Sequence, residues 1–215
     1  MKVLMLNGSA KPRGCTYTAL TEIGKTLEEQ GIEYEIFQIG AQPVRDCIGC
    51  NQCKGNGCIF EENNVREFLE KAKEADGFVF GSPVYFAHPS GRLLSFLDRV
   101  FYGCETQHIY APFTGKPGAA IVSARRGGTT ASVDVIQKYF TIASMPVVAS
   151  TYWNMVHGQT PEEVLEDKEG LQTMRNIGRN MAHLLKSLRY AKENGISAPA
   201  LETANETPFI RKKAE

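Results

Sequence analysis

The sequence predicts an α/β domain in which helices cover both faces of a parallel sheet. Two observations carry this. Five short strand-like runs alternate with amphipathic stretches along the chain, and apart from the second the runs are nearly continuous in Val, Ile, Leu, Phe and Ala rather than alternating. A strand apolar on both sides must be buried on both sides, which is the environment of a parallel sheet between two helix layers. The 215 residues suffice for one domain with a full core.

The first strand is Lys2 to Leu6, ending at Asn7-Gly8-Ser9. A helix starts near Cys15, with Ala19, Leu20, Ile23 and Leu27 on one face, and Gly31 ends it. Ile32 to Ile39 alternates and reads as the second strand. A cysteine-rich loop follows, framed by Pro43, Gly49, Gly55 and Gly57. Asn64 to Ala75 is a helix with Val65, Phe68, Leu69 and Ala72 at helical spacing. Gly77 to Phe80 is a buried strand that Ser82-Pro83 should stop. Gly91 to Phe101 is a helix burying Leu93, Leu94, Leu97 and Phe101. Ala119 to Val122 is the fourth strand, and a helix runs from about Thr130 to Ala143. Pro146 to Ser150 reads as the last strand. Glu169 to Lys192 forms a long helix with Leu171, Met174, Ile177, Met181, Leu184, Leu185 and Leu188 on one face. Residues 1–193 thus read as one domain that includes the cysteine loop 47–58, and 194–215 as a C-terminal extension ending in Arg211-Lys212-Lys213.

Charge is balanced, with 24 basic and 24 acidic residues, so bulk electrostatics draws the chain to neither nucleic acid nor anionic membrane. No apolar run is long enough to span a bilayer. The N-terminus reads as a strand rather than a signal peptide, which makes the cytoplasm the expected location and Asn205-Glu206-Thr207 a chance sequon. In a reducing compartment clustered thiols are metal ligands or redox groups more often than disulfides. Cys47, Cys50, Cys53 and Cys58 follow the spacing C-x2-C-x2-C-x4-C. Zinc sites usually pair two C-x2-C knuckles across a longer stretch, whereas this compact run is similar to iron–sulfur spacing. Cys104 lies apart and reads as a small buried hydrophobe.

Ligands of a doubly wound sheet bind beyond the carboxyl ends of its strands. Three such ends carry loop chemistry. Gly8 to Thr16 offers small residues, hydroxyls, Lys11, Arg13 and a helix N-terminus, and reads as a phosphate cradle or as an ordinary strand-to-helix turn. It is neither a G-x-G-x-x-G turn nor a Walker A loop. Gly81 to Pro89 has two prolines and the aromatics Tyr85 and Phe86, which suit a flat ring or a core. His88 there is a proton donor or a plain polar contact. Ser123 to Thr130 places paired glycines, Gly127 and Gly128, before a helix, with Arg125 and Arg126 alongside.

These residues together resemble the flavodoxin-like NADPH-dependent FMN reductase superfamily. Gly8-Ser9-x-Lys11-x-x-Gly14-x-Thr16 is similar to its phosphate loop. Gly81-Ser82-Pro83-Val84-Tyr85-Phe86, with Leu97-Asp98-Arg99 further on, resembles its central signature, and the cysteine loop resembles its iron–sulfur flavoprotein branch. The resemblance covers most of residues 2–190. It implies a five-stranded parallel sheet of order 2-1-3-4-5, FMN, and a homo-oligomer, dimer or tetramer, with flavin near subunit interfaces. It implies that Ser9, Lys11, Cys15 and Thr16 surround the FMN phosphate, that Pro83, Val84, Tyr85 and Phe86 border the isoalloxazine, and that Ser123, Gly127 and Gly128 approach its pyrimidine side. Cys15 stands where the family often has asparagine, its backbone amide remaining available. Cys47, Cys50, Cys53 and Cys58 would hold a [4Fe–4S] cluster. Trp153, with Tyr152, Asn154 and His157 past the last strand, would lie near flavin or pack in a core or interface.

The function expected is that of an FMN-dependent oxidoreductase passing electrons between the cluster and FMN, with ferredoxin or a small molecule as partner. Three alternatives stay open: a cluster-free NAD(P)H-dependent FMN or quinone reductase, a flavodoxin-like electron carrier, and a structural zinc loop on a flavin-binding protein.

Overall fold

The computed structural model describes residues 1–205; Arg211-Lys212-Lys213 lies outside them. The element order is β1 (Lys2–Asn7), α1 (Cys15–Glu29), β2 (Glu33–Gln38), α2 (Val65–Glu74), β3 (Gly77–Tyr85), β4 (His88–Pro89), α3 (Gly91–Cys104), β5 (Glu105–Thr106), β6 (Ile109–Tyr110), β7 (Gly118–Ala124), α4 (Thr129–Ile142), β8 (Met155–His157), α5 (Pro161–Glu166) and α6 (Lys168–Glu193). The main sheet has the order β2-β1-β3-β7-β8, all parallel. Counting its parallel members in chain order gives 2-1-3-4-5, the flavodoxin-like arrangement. The short pieces β4, β5 and β6 are local antiparallel returns.

Alternate strand residues feed two cores. Leu4, Leu6, Phe78, Phe80, Ala120 and Val122 face α2, α3 and α4. Val3, Met5, Val79, Ala119 and Ile121 face α1 and α6. The first core is aromatic. Phe68 of α2 meets Phe37, Phe80, Phe96 and Phe113 at ring separations from 5.3 to 6.5 Å, much of it edge-on, the geometry favoured by ring quadrupoles. In α6 the predicted face is buried from Leu171 to Leu185, but Leu184 is only partly covered and Leu188 lies exposed beyond the sheet. Leu94 of α3 is likewise only half-buried, while Phe96 takes a core position.

Two strands differ from the sequence expectation. β3 does not stop at Ser82-Pro83 but runs to Tyr85 and pairs with β7 as far as Pro83↔Ser123. Gly81 turns its carbonyl toward β1, where Gly8 N–H donates to it at 2.8 Å. Pro83, two residues on, faces that same side, where β1 has already turned away. Its missing N–H therefore costs no ladder bond.

The last strand is Met155–His157, not Pro146 to Ser150. Pro146 to Val148 touches β7 at one bridge, Gly118↔Val147. The chain then leaves the sheet because α6 captures it. Ser150 Oγ donates to Thr173 O at 2.7 Å, Asn180 Nδ2 to Ala149 O at 2.8 Å, and Asn176 Nδ2 to Thr151 Oγ1 at 3.0 Å. α5 was not foreseen, although Thr160-Pro161-Glu162-Glu163 carries its signal: Thr160 caps it by accepting from Glu163 N–H at 3.3 Å, and proline follows the cap. Among the described residues no helix is long and apolar enough to cross a membrane.

Phe68→Ala should cost about 3–5 kcal/mol, the range for a fully buried phenylalanine, measured by urea denaturation.

Candidate functional site at the strand ends and the cysteine loop

The first loop is locked by side chains from two strand ends. Asn7, fully buried, accepts Ser9 N–H through Oδ1 at 3.1 Å and donates through Nδ2 to Gln38 Oε1 at 2.5 Å. Gln38 Nε2 donates to Ser9 O at 2.6 Å. Ser9 Oγ accepts Lys11 N–H at 3.1 Å. α1 then begins at Gly14 with no side-chain cap, so the positive end of a 15-residue helix points into the loop. Lys11 and Arg13 are exposed beside it.

Polar bonds and close contacts join the loops to one another. Thr16 Oγ1 and Ser123 Oγ, both buried, lie 2.8 Å apart and tie the first loop to the third. A hydroxyl pair shares one proton, so one O–H of the two is left to donate elsewhere. Ser90, the cap of α3, donates to Gly8 O at 2.8 Å, and its N–H donates to Ser82 Oγ at 2.9 Å. Cys15 Sγ donates to Gly158 O at 3.7 Å, and burial pushes its thiol pKa up. His157 Nε2 lies 3.2 Å from Arg126 O, and His157 N–H donates to Asp167 Oδ2 at 2.7 Å.

The second loop ends in a two-residue hairpin between β3 and β4. Phe86 and Ala87, at φ 51° and 62°, occupy a left-handed turn that usually takes Asn or Gly. Phe86 is fully exposed, with Tyr85 half-exposed next to it. Such strain persists where surrounding structure enforces it. The enforcement is visible at Gly128, where a Cβ would lie 2.4 Å from Ala87 Cα. The third loop thus presses on the second, and its Gly128, at φ 86°, must be glycine. Gly127 faces open space. Tyr152 and Trp153 stack edge-on at 4.9 Å and are exposed, not packed in the core of this chain.

The structure brings together Ser9, Lys11, Cys15, Thr16, Pro83, Val84, Tyr85, Phe86, Ser123, Gly127 and Gly128 at the carboxyl edge of the sheet. Asn7, Gln38, Ser90 and Gly158 join them beyond the sequence expectation, as does His157, which the sequence places with Trp153 past the last strand. Ser90 had a readable signal, a serine just before an apolar-periodic helix. The others sit at the ends of the first, second and fifth parallel strands, where only the topology brings them together.

The cysteine loop packs against α3. Arg92 Nη1 donates to Gly40 O at 2.8 Å and Gln42 O at 2.6 Å, and Gly57 N–H donates to Gly103 O at 2.8 Å. Asn51, Lys54, Gly49, Gly55 and Gly57 all have positive φ, which curls the loop on itself. Cys47, Cys50, Cys53 and Cys58 line one pocket with Ile48, Phe60, Arg99 and Tyr102. Burial, together with the Cys58 and Cys50 thiols, pushes the Cys53 pKa up. Among the described residues no three His, Cys, Asp or Glu side chains are grouped as ligands of a single metal ion. The buried Arg99 donates through Nε to Cys58 Sγ at 3.3 Å and through Nη2 to Phe60 O at 2.7 Å and Glu62 O at 3.1 Å. Its neighbour Asp98 turns the other way and accepts Tyr139 O–H at 2.5 Å; burial and this bond push the phenol pKa up. Cys104 stays outside the pocket, buried as expected, its thiol pushed up to about 12 by desolvation.

A 2-1-3-4-5 sheet whose strand-end loops meet around an uncapped helix N-terminus defines a doubly wound, flavodoxin-like α/β protein with an anion-binding crevice at its carboxyl edge. The chain belongs to the NADPH-dependent FMN reductase family, whose model matches residues 1–160. It is a flavin-dependent oxidoreductase. An iron–sulfur flavoprotein of Methanocaldococcus jannaschii is 34% identical over 196 residues, spanning 88% of this chain and 100% of that one. An FMN-dependent NADPH-azoreductase of Staphylococcus saprophyticus is 38% identical over 103 residues, covering 46% of this chain and 52% of its own. Among solved structures, RosB with a bound 8-demethyl-8-formylriboflavin-5'-phosphate intermediate aligns with TM-score 0.68 at 17% identity, covering 99% of this chain and 95% of that one. The NAD(P)H:quinone oxidoreductase of Methanothermobacter marburgensis aligns with TM-score 0.63 at 19% identity, covering 85% and 98%. At these identities the two structures show a shared fold.

Cys104 is buried, and desolvation pushes its thiol up to about 12, so little of it is the reactive thiolate at pH 8. Iodoacetamide at pH 8 should therefore leave Cys104 unmodified in the native protein and alkylate it in urea, read by peptide mass spectrometry.

Proposed function

We propose that this chain is an FMN-dependent oxidoreductase in which a [4Fe–4S] cluster on the cysteine loop exchanges electrons with FMN at the strand ends. The observation that carries the reading is the single pocket lined by Cys47, Cys50, Cys53 and Cys58. Four thiols of one pocket, walled by Ile48, Phe60 and Tyr102 and touched by a buried guanidinium, fit the donor set of such a cluster. The relatives named iron–sulfur flavoproteins, aligned over most of the chain, support it as well.

The first loop fits the phosphate of FMN. Its donors are the uncapped N-terminus of α1, Lys11, Arg13 and the spare proton of the Thr16–Ser123 pair. Ser9 and Cys15 shape the loop around it, through the Lys11 N–H and Gly158 O bonds. Pro83, Val84, Tyr85 and Phe86 form the wall for the flat ring. Ser123, Gly127 and Gly128 bring backbone to its polar edge, with Arg125 and Arg126 adding positive charge. When bound, FMN supplies chemistry in one- or two-electron steps, and the cluster supplies single-electron transfer. The chain's part is position, exclusion of water and electrostatics. Residues 1–193 form the flavin domain, and 194–215 an extension. The exposed aromatics Tyr85, Phe86, Tyr152 and Trp153 support a homo-oligomer in which a second copy covers them.

A second reading is favoured by the family's own description, NADPH-dependent: hydride delivered by a nicotinamide, with no cluster. Anaerobically purified protein should contain about four iron and about four acid-labile sulfide per chain, and reduced ferredoxin should reduce its flavin faster than NADPH does. One zinc and no sulfide, with rapid bleaching by NADPH, would establish the second reading instead.

A further inference from the structure

Resting on the cluster reading above, we propose that Arg99 is a positioning residue for the metal centre: its Nε–H holds the Cys58 sulfur, and its buried charge raises the centre's reduction potential. Arg99 lies on α3, outside the cysteine loop, and is about 1% exposed. It lines the same pocket as all four cysteines. Its side chain makes two kinds of contact. Nη2 bonds the carbonyls of Phe60 and Glu62, which fixes the chain just after the fourth cysteine. Nε bonds Cys58 Sγ itself at 3.3 Å. The planar fork allows both at once, because its donors point in different directions from one rigid group. A lysine has the charge but not the fork.

The direction of the effect follows from charge. A thiolate-bound iron–sulfur centre is anionic and gains one further negative charge on reduction. A cation in its wall, and an N–H aimed at a ligand sulfur, stabilise the reduced form more than the oxidised one. Burial strengthens both effects, since little water screens them. The carbonyl contacts also explain why the loop returns Cys58 to the pocket across the x4 interval. Cys58 O accepts Arg66 Nε–H at 3.1 Å, so the fourth ligand is held from α2 as well as α3. Gly103, one turn beyond Arg99, lets the loop approach so closely that a Cβ would stand 3.0 Å from Cys58 N. Cys58 is thus held by α2 and α3 together.

The test is redox titration, followed by electron paramagnetic resonance of the reduced centre, on wild-type, R99K and R99M proteins purified anaerobically. The midpoint potential should fall in the order wild type, R99K, R99M, with far-ultraviolet circular dichroism unchanged. In wild-type protein grown on arginine labelled with nitrogen-15 in its guanidino group, the reduced centre should show a hyperfine coupling to that nitrogen. The labelled measurement needs no variant, so it decides the matter even if R99M and R99K fail to assemble. Equal potentials in iron-replete variants, or no nitrogen coupling in the labelled wild type, would overturn the role of Arg99 while leaving the cluster in place. Absence of iron and sulfide from the wild-type protein would overturn the cluster reading, and this inference with it.

Discussion

The bond between Gly8 N–H and Gly81 O fixes where the first loop leaves the sheet, and with it the mouth of the site. It is the last link between β1 and β3 before the first loop leaves the sheet. The approach is so close that a Cβ on Gly8 would lie 2.8 Å from that oxygen and 2.9 Å from Leu93 Cβ. Backbone and an α3 core residue bound the space, so neither can retreat. From this point β1 turns off while β3 continues to Tyr85, and the divergence opens the crevice in which ligands of parallel sheets bind. Ser90 on Gly8 O, Thr16 on Ser123 and Gly128 against Ala87 then close a ring of contacts around it.

Much of this was legible in the sequence because the strands are buried on both faces. Continuous apolar runs at 2–6, 77–80 and 119–122 leave little choice but a parallel sheet, and the helices showed their periodicity directly. The fifth strand was misplaced because Pro146 to Ser150 is as apolar as a strand. Its outcome was decided by Asn176, Asn180 and the Thr173 carbonyl of α6, distant partners that no local pattern contains. The end of β3 was misjudged for a related reason: Pro83 breaks a ladder only where a neighbour wants its N–H, and β1 has left by then. The strand-end loops were readable as loops, but the Asn7–Gln38 clamp depends on β1–β2 register and could be seen only in the fold.

The cysteine loop differs in kind from the rest of the site. The strand-end loops follow from the sheet, whereas the cysteine loop is a long connection between β2 and α2 whose shape comes from α3. Arg92 pins its start, Gly103 admits its turn and Arg99 secures its end. The triplet Leu97-Asp98-Arg99 thus divides its duties: Leu97 in the core, Asp98 on Tyr139 of α4, Arg99 in the cysteine pocket. One helix touches the two candidate centres, since Ser90 at its start holds the first loop and Arg99, about two and a half turns later, holds the cysteine loop.

The loop between β1 and α1 joins an uncapped helix N-terminus to the exposed Lys11 and Arg13, as the proposed site for a flavin phosphate requires. The most direct measurement is a comparison of FMN and riboflavin affinities for the flavin-free protein by fluorescence titration, at low and moderate salt. The two ligands share the ring and differ in the phosphate alone. FMN should bind at least about a hundredfold more tightly, a difference of about 2.7 kcal/mol, because the helix N-terminus and the hydrogen bonds of the loop act only on the phosphate. Equal affinities would contradict the proposed site, since the loop would then contribute nothing that the ring wall does not.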